Sequence, residues 1–460
     1  MTTQKKNRKY EIDMCSGSIL GKMLLFALPL MCSSLLQLLL NAADIIVVGK
    51  YAGDNSLAAV GSNSSLINLL TNLFLGLSVG ANVLVARYFG ARQQKDLKET
   101  VHTAMMISLY TGIILTVIGC AGAKRILIWM DTPEDVLGLA TLYLRIYFLG
   151  MTAMMLYNFG SAIVRALGDT RRPLYYLSAA GVINVVLNLL FVITFRMDVA
   201  GVAAATVISQ CISAFLIIRC MMKEQSDIRL ELSALHIYPD KFRRILQIGL
   251  PASFQGIVFS FSNVIIQSSV NSFGAVTVAG NSAAANIEGF VYVSMNAFHQ
   301  AAISFTSQNV GAAKYERVNR ILYTAQAGVI TVGVVFGNLA VLCGYPLLGM
   351  YTSSSAVMEA GMKRLAVICR YYALCGMMDV IVGSLRGLGY AMMPMIVSLI
   401  GACGLRLVWI FTFFRMESFH TTTSLYMTYP VSWIVTFLAH VVCFIIVRRK
   451  LERKWNCVKA

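Results

Sequence analysis

Charge is scarce: Asp, Glu, Lys and Arg together make up 13% of 460 residues, and only 21 are acidic. Soluble domains carry about 25%, so a water-soluble globular fold of this length is excluded. The eleven cysteines are scattered, odd in number and without a CxxC pair. They read as small core hydrophobes rather than a disulfide or metal framework. His102, His236, His299, His420 and His440 are dispersed, with no HExxH spacing, and no GxxxxGK[ST] loop occurs. A metal site and ATP as energy source both drop out. No paired nucleophile and base appears, so neither enzyme activity nor a cofactor is expected.

What is present is apolar. Hydrophobic residues are 57% of the chain and the mean hydropathy is +0.70, the composition of a polytopic membrane protein. Hydropathy predicts twelve spans, near 23–49, 57–86, 100–121, 138–164, 174–195, 199–221, 246–272, 277–309, 321–343, 360–385, 394–414 and 426–447. The net charge of +17 suggests nucleic acid until the charges are placed. Numbering the loops alternately puts 28 of the 38 basic residues on the side of the N-terminus. That asymmetry is the positive-inside rule; it predicts a multi-pass protein of the cell inner (plasma) membrane with both termini cytoplasmic. The partners expected are membrane lipids and small molecules, not nucleic acid, and the chain is expected to act as a monomer. The Lys-rich start is no signal peptide, because its apolar run is too long and recurs in the second half.

The chain is one unit written twice. RALGDTRRP at 165–173 matches RGLGYAMMP at 386–394, 221 residues on. At that offset YFGA (88–91) falls on NVGA (309–312), and FALP (26–29) matches IGLP (248–251) at 222. Two six-span units share one orientation, as in transporters built from parallel repeats around a central site. The expected parts are a tail at 1–22, an N-lobe at 23–218, a linker at 219–245, a C-lobe at 246–447 and a tail at 448–460.

The first span carries a carboxylate, Asp44, where an ionised acid costs about 2.5–3.5 kcal/mol. Gln37, Asn41 and Asp44 are spaced to share one helix face, and Pro29 below them allows a bend. Asp44 reads as a switchable charge on a moving helix or as a structural acid paired to a neighbour. Further amides stand at Asn63, Asn68, Asn72, Asn158, Asn184, Asn188 and Gln210, with Thr206 beside them; Asn184 and Asn188 are one turn apart. Each alone reads equally as interhelical glue. Tyr143 and Tyr147, also one turn apart, offer hydroxyls. In the second unit Ile266 takes the place of Asp44, within a stripe of Asn263, Gln267 and Asn271. Asn281, Glu288, Tyr292 and His299 share a face of the eighth span, Glu288 as a site acid or half of an ion pair. Asp379 is a third intramembrane acid.

FALP with Asp44 and VVGKYAG, ARYFGARQQKD, RALGDTRRP with GVAAAT, IGLP, SQNVGAAKYERV and RGLGYAMMP together resemble the multidrug and toxic compound extrusion (MATE) transporters, closest to the bacterial DinF/MepA-like branch. The resemblance spans about 20–415. It implies an all-α integral membrane protein, twelve helices in two parallel six-helix repeats forming a V, that exports cationic lipophilic drugs in exchange for protons or sodium ions. It also implies that Asp44 couples the ion, with Asn184, Asn188 and Thr206 as neighbours and sodium at Asp44 as one occupant. Asn188 stands where some members carry an acid, and Phe259 stands near the seventh-span acid of NorM-like members, so no second-lobe sodium site of that type is implied. Cavity candidates are Gln37, Asn41, Asn68, Tyr143, Tyr147, Asn158, Gln267, Glu288, Tyr292 and Asp379, with Pro29 as hinge.

A rival reading keeps the fold and changes the cargo to a lipid-linked saccharide. It predicts a cationic cavity for pyrophosphate, where the spans offer acids, amides and a lone Arg406. A sensor or scaffold predicts a soluble output domain, and the sequence contains none.

Overall fold

The computed structural model describes residues 10–130, 132–224 and 229–459. Asn68 is placed by its backbone alone, its side chain lying outside the described residues. Helices carry the chain, and among the described residues no strand forms. The first repeat holds α1 (Ile19–Tyr51), α2 (Asp54–Gly90), α3 (Gln94–Trp129), α4 (Glu134–Leu149), α5 (Met151–Ala166), α6 (Arg171–Leu189) and α7 (Asp198–Lys223). The second holds α8 (Pro239–Asn271), α9 (Ala275–Gly311), α10 (Glu316–Leu342), α11 (Gly344–Gly349) and α12 (Ser355–Ile368). It continues with α13 (Tyr372–Gly387), α14 (Met392–Ser398), α15 (Leu405–Phe411) and α16 (Thr422–Lys459).

Among the described residues ten helical segments are long and apolar enough to cross a membrane, or eleven with α4 and α5, bent by 45° at Gly150, counted as one. The count falls short of the twelve expected because of α9. Its 37 residues far exceed the roughly 20 a bilayer needs. Asn281, Asn286, Glu288, Asn296, His299 and Gln300 make it too polar to count by hydropathy.

The repeat is written into the backbone. α1 and α8 have 33 residues each, and α2 and α9 have 37 each. Gly53 and Gly274, at φ 88°, open α2 and α9, and Gly168 and Gly389, at φ 97° and 95°, turn the matching loops. Only glycine takes that region cheaply. Gly90 and Gly311 are helical, and the left-handed residues are Arg92 and Ala313, both at φ 56°. In each loop the two N–H groups beyond the cap return to the last turn, Arg92 to Phe89 and Gln93 to Tyr88, Ala313 to Val310 and Lys314 to Asn309, the Schellman pattern. The fourth span of each repeat is interrupted at matching positions, Gly150 and the turn Cys369–Tyr371. A π-helical turn interrupts each fifth span, at Leu190–Thr194 and Leu399–Gly404.

Two compact units form, and they do not follow the expected lobes. One comprises Cys32–Ser253 with the described part of Met1–Asp13; the other comprises Met14–Met31 with the described part of Phe254–Ala460. The linker and the start of α8 therefore belong to the first unit, and the start of α1 to the second. Close packing explains both. A methyl on Gly249 would lie 2.7 Å from the Leu77 Cα, and Gly76 and Gly80 meet the backbone of Ser253 and Ile245, so α8 approaches α2 at backbone distance. In the second unit Phe26 meets Phe305 edge-on at 5.7 Å, and Asn309 Nδ2 donates to the Met14 carbonyl at 3.0 Å. Pro29 and Pro251 each lie within a few residues of the point where their helix changes unit.

Candidate functional site

In the first unit α1, α6 and α7 bring Asp44, Asn184, Asn188 and Thr206 together. Asn188 comes from the last turn of α6, just before its π-helical turn, a distortion frequent at functional sites. Its Nδ2 donates to Asp44 Oδ1 and, at 3.2 Å, to Asn184 Oδ1. Asn184 Nδ2 lies 3.5 Å from Thr206 Oγ1, which lies 3.4 Å from Asp44 Oδ2 and 3.0 Å from the Val202 carbonyl. Thr206 has one hydrogen, so the shorter Val202 contact competes with the carboxylate. Asn184 and Asn188 are buried and Asp44 is half-buried.

Neutral donors are the hydrogen-bond partners of this carboxylate. Among the described residues no Lys, Arg or His forms an ion pair with it. Asn188 Oδ1 is buried with no partner among the described residues. The site thus presents carboxylate, amide and hydroxyl oxygens with one negative charge to neutralise, the donor set of a hard monovalent cation or of a proton. The rings of Tyr143 and Tyr147 stack at 6.0 Å with an interplanar angle of 26°, within electrostatic reach of Asp44. Gln37 and Asn41 lie on the exposed side of α1. Asn158 donates at 2.8 Å to Met154 of its own helix, and Asn63 ties α2 to α4 through Ala140 at 3.0 Å.

In the second unit Glu288 is an ion pair. Arg364 reaches it twice, Nε to Oε1 at 2.8 Å and Nη2 to Oε2 at 2.7 Å. Its Nη1 donates to Asn281 Oδ1 at 2.6 Å, and Asn281 passes a hydrogen bond to Gln267 at 2.9 Å. The guanidinium also faces the rings of Tyr426 and Tyr429 at 5.7 and 5.6 Å. Arg364 is the residue the sequence reading missed. Its partner lies 76 positions away, and its one visible signal was a cation inside an apolar span. Asp379 stands apart from Glu288's pair, half-buried, with Arg386 and Tyr292 in electrostatic reach and its backbone oxygen accepting from His299 Nδ1 at 2.6 Å. Tyr292 is 38% exposed and lies 6.4 Å from the Tyr372 ring. Arg406, unpaired with any acid among the described residues, donates to Ser432 at 2.9 Å and stacks on Tyr429 at 4.3 Å. Among the described residues no cluster of three or more His, Cys, Asp or Glu side chains is arranged to hold a metal.

The MatE family model matches residues 29–190 and 251–412, so both repeats match, each from its proline. The chain is 29% identical to the probable multidrug resistance protein YpnP of Bacillus subtilis, over 86% of this chain and 88% of that protein. It is 26% identical to the probable multidrug resistance protein YoeA of the same organism, over 88% and 87%. A solved structure described as the outward-facing conformation of a multidrug resistance MATE family transporter superposes with a TM-score of 0.87 at 21% identity, over 96% of this chain and 98% of that one. Paired family matches, twofold internal repetition and an all-helical, multi-pass membrane fold converge: this chain belongs to the MATE family, whose members are transporters and not enzymes.

Proposed function

We propose that the chain is a secondary active multidrug efflux antiporter of the plasma membrane, exporting cationic lipophilic compounds in exchange for protons or sodium ions. The observation that carries this reading is Asp44, an intramembrane carboxylate bound by Asn188 and Thr206 and paired with no cation among the described residues. The names of YpnP and YoeA support drugs as cargo. Ionised, Asp44 attracts a cationic drug. A proton on the carboxylate, or a sodium ion among the oxygens of Asp44, Asn184, Asn188 and Thr206, cancels that attraction and the drug leaves. Exchange arises because ion and drug favour different states of one protein, and Pro29 is the hinge between those states. Both termini are cytoplasmic in this reading and the unit of transport is the monomer.

The test is efflux of a fluorescent cation from proteoliposomes, with proton and sodium gradients imposed separately. Wild type is expected to respond to one of them. Asp44→Asn, reconstituted to the same level, is expected to lose gradient-driven efflux. Full efflux by that variant would remove the mechanism.

A further inference from the structure

From residue 229 on, the linker between the repeats is held down at several points. In the first unit, residues 229–238 run beside the start of α3. Leu230 is buried, and its N–H donates to the Met221 carbonyl at 3.1 Å. Glu231 Oε2 pairs with Lys98 Nζ at 2.9 Å, and the Tyr238 N–H donates to Thr103 Oγ1 at 3.1 Å. Lys241, at the start of α8, pairs with Asp96, with Glu99 at 3.6 Å and with Asp240 at 2.9 Å.

One further contact depends on an imidazole. His102 is buried, with Nδ1 2.8 Å from the Lys98 carbonyl oxygen and Nε2 3.2 Å from the Glu231 backbone nitrogen. A carbonyl oxygen can only accept and a backbone N–H can only donate. The two partners therefore fix the tautomer: Nδ1 carries the hydrogen and Nε2 accepts. The ring is neutral and both nitrogens are in use.

We propose that His102 is a proton-operated latch on the linker, a protonation site separate from Asp44. A proton on Nε2 would set N–H against N–H, and the Glu231 amide would lose its acceptor. Imidazole ordinarily titrates between about pH 5 and 8. The charged groups on the elements around the latch are Asp96, Lys98 and Glu99 on α3, Glu231 and Arg229 on the linker, and Asp240 and Lys241 at the start of α8. The hydrogen bond from Lys98 holds the Glu231 carboxyl below the usual carboxylate range, so the Lys98–Glu231 pair stays charged across this interval. The linker runs directly into the part of α8 clamped on α2. Proton uptake at His102 thus releases the Glu231 amide, one of several ties on the segment that leads into the second repeat's first helix.

Hydrogen exchange of the full chain in detergent, at about pH 7.5 and about pH 5.5 with intrinsic rates corrected, reads the latch amide by amide. The Glu231 amide is expected to lose protection roughly tenfold at the lower pH, the scale of one hydrogen bond. The Leu230 amide, bonded to a carbonyl that does not titrate, is expected to keep its protection. His102→Gln, whose amide oxygen accepts without titrating, is expected to protect Glu231 equally at both values. Unchanged Glu231 protection in wild type, parallel loss at Leu230, or a wild-type pH response in His102→Gln would each overturn the latch. The wild-type comparison with Leu230 decides the matter by itself if the variant does not fold.

Discussion

A carboxylate held by an amide and a hydroxyl keeps its position without a paired cation, and among the described residues that is the arrangement around Asp44. Asn188 contributes most, because both its Nδ2 hydrogens are spent on Asp44 and Asn184. Hydrogen bonds to charged groups are worth about 1.5–3 kcal/mol, so Asn188→Ala is expected to cut transport roughly tenfold or more at unchanged membrane expression. Thr206→Val is expected to cost less, since its hydroxyl also has the nearer Val202 carbonyl at 3.0 Å. Transport rates of the two variants, normalised to reconstituted protein, check the order. Glu288 is the opposite case, an acid with a full-time cation. Removing one partner of such a buried pair costs about 3–5 kcal/mol. Glu288→Gln is therefore expected to lower the melting temperature in detergent, and adding Arg364→Met should recover much of the loss. A lower melting temperature for the double variant than for Glu288→Gln would contradict the pairing account.

At the scale of helices, the arrangement depends on where small residues let backbones touch. Gly249 lies against the Leu77 Cα, so Gly249→Val is expected to part α8 from α2 and lower the melting temperature. The same change at Gly289, which has open space around its α-carbon, is expected to be nearly neutral; equal losses at both would refute the packing argument. The repeat, the helical class and most span positions were legible, because bilayer length and repeated motifs act on contiguous sequence. The grouping of Asp44 with Asn184, Asn188 and Thr206 was expected from the family resemblance and one-turn spacing. Less legible was whatever depends on distant partners. Arg364 had no local signal toward Glu288, and the exchange of the starts of α1 and α8 between units follows from contacts with residues more than 150 positions away, Phe305 and Asn309 on one side and Gly76, Leu77 and Gly80 on the other.

At the scale of the whole chain, an even number of crossings puts both ends on one side. That number requires α9 to cross although its polarity keeps it out of a hydropathy count. Reporter tags at the two termini are expected to be reached only from the cytoplasmic side, and tags on opposite sides would remove α9 from the membrane. The exchange reading makes a stricter demand, that drug and coupling ion compete for one charge. Binding of a fluorescent cation to the purified protein, titrated against sodium at fixed pH and against pH without sodium, measures that competition. Affinity in wild type is expected to weaken along one of the two series, and in Asp44→Asn to be weak and flat along both. Wild-type affinity indifferent to both ions, or an ion response that persists without the Asp44 carboxylate, would contradict exchange at this residue.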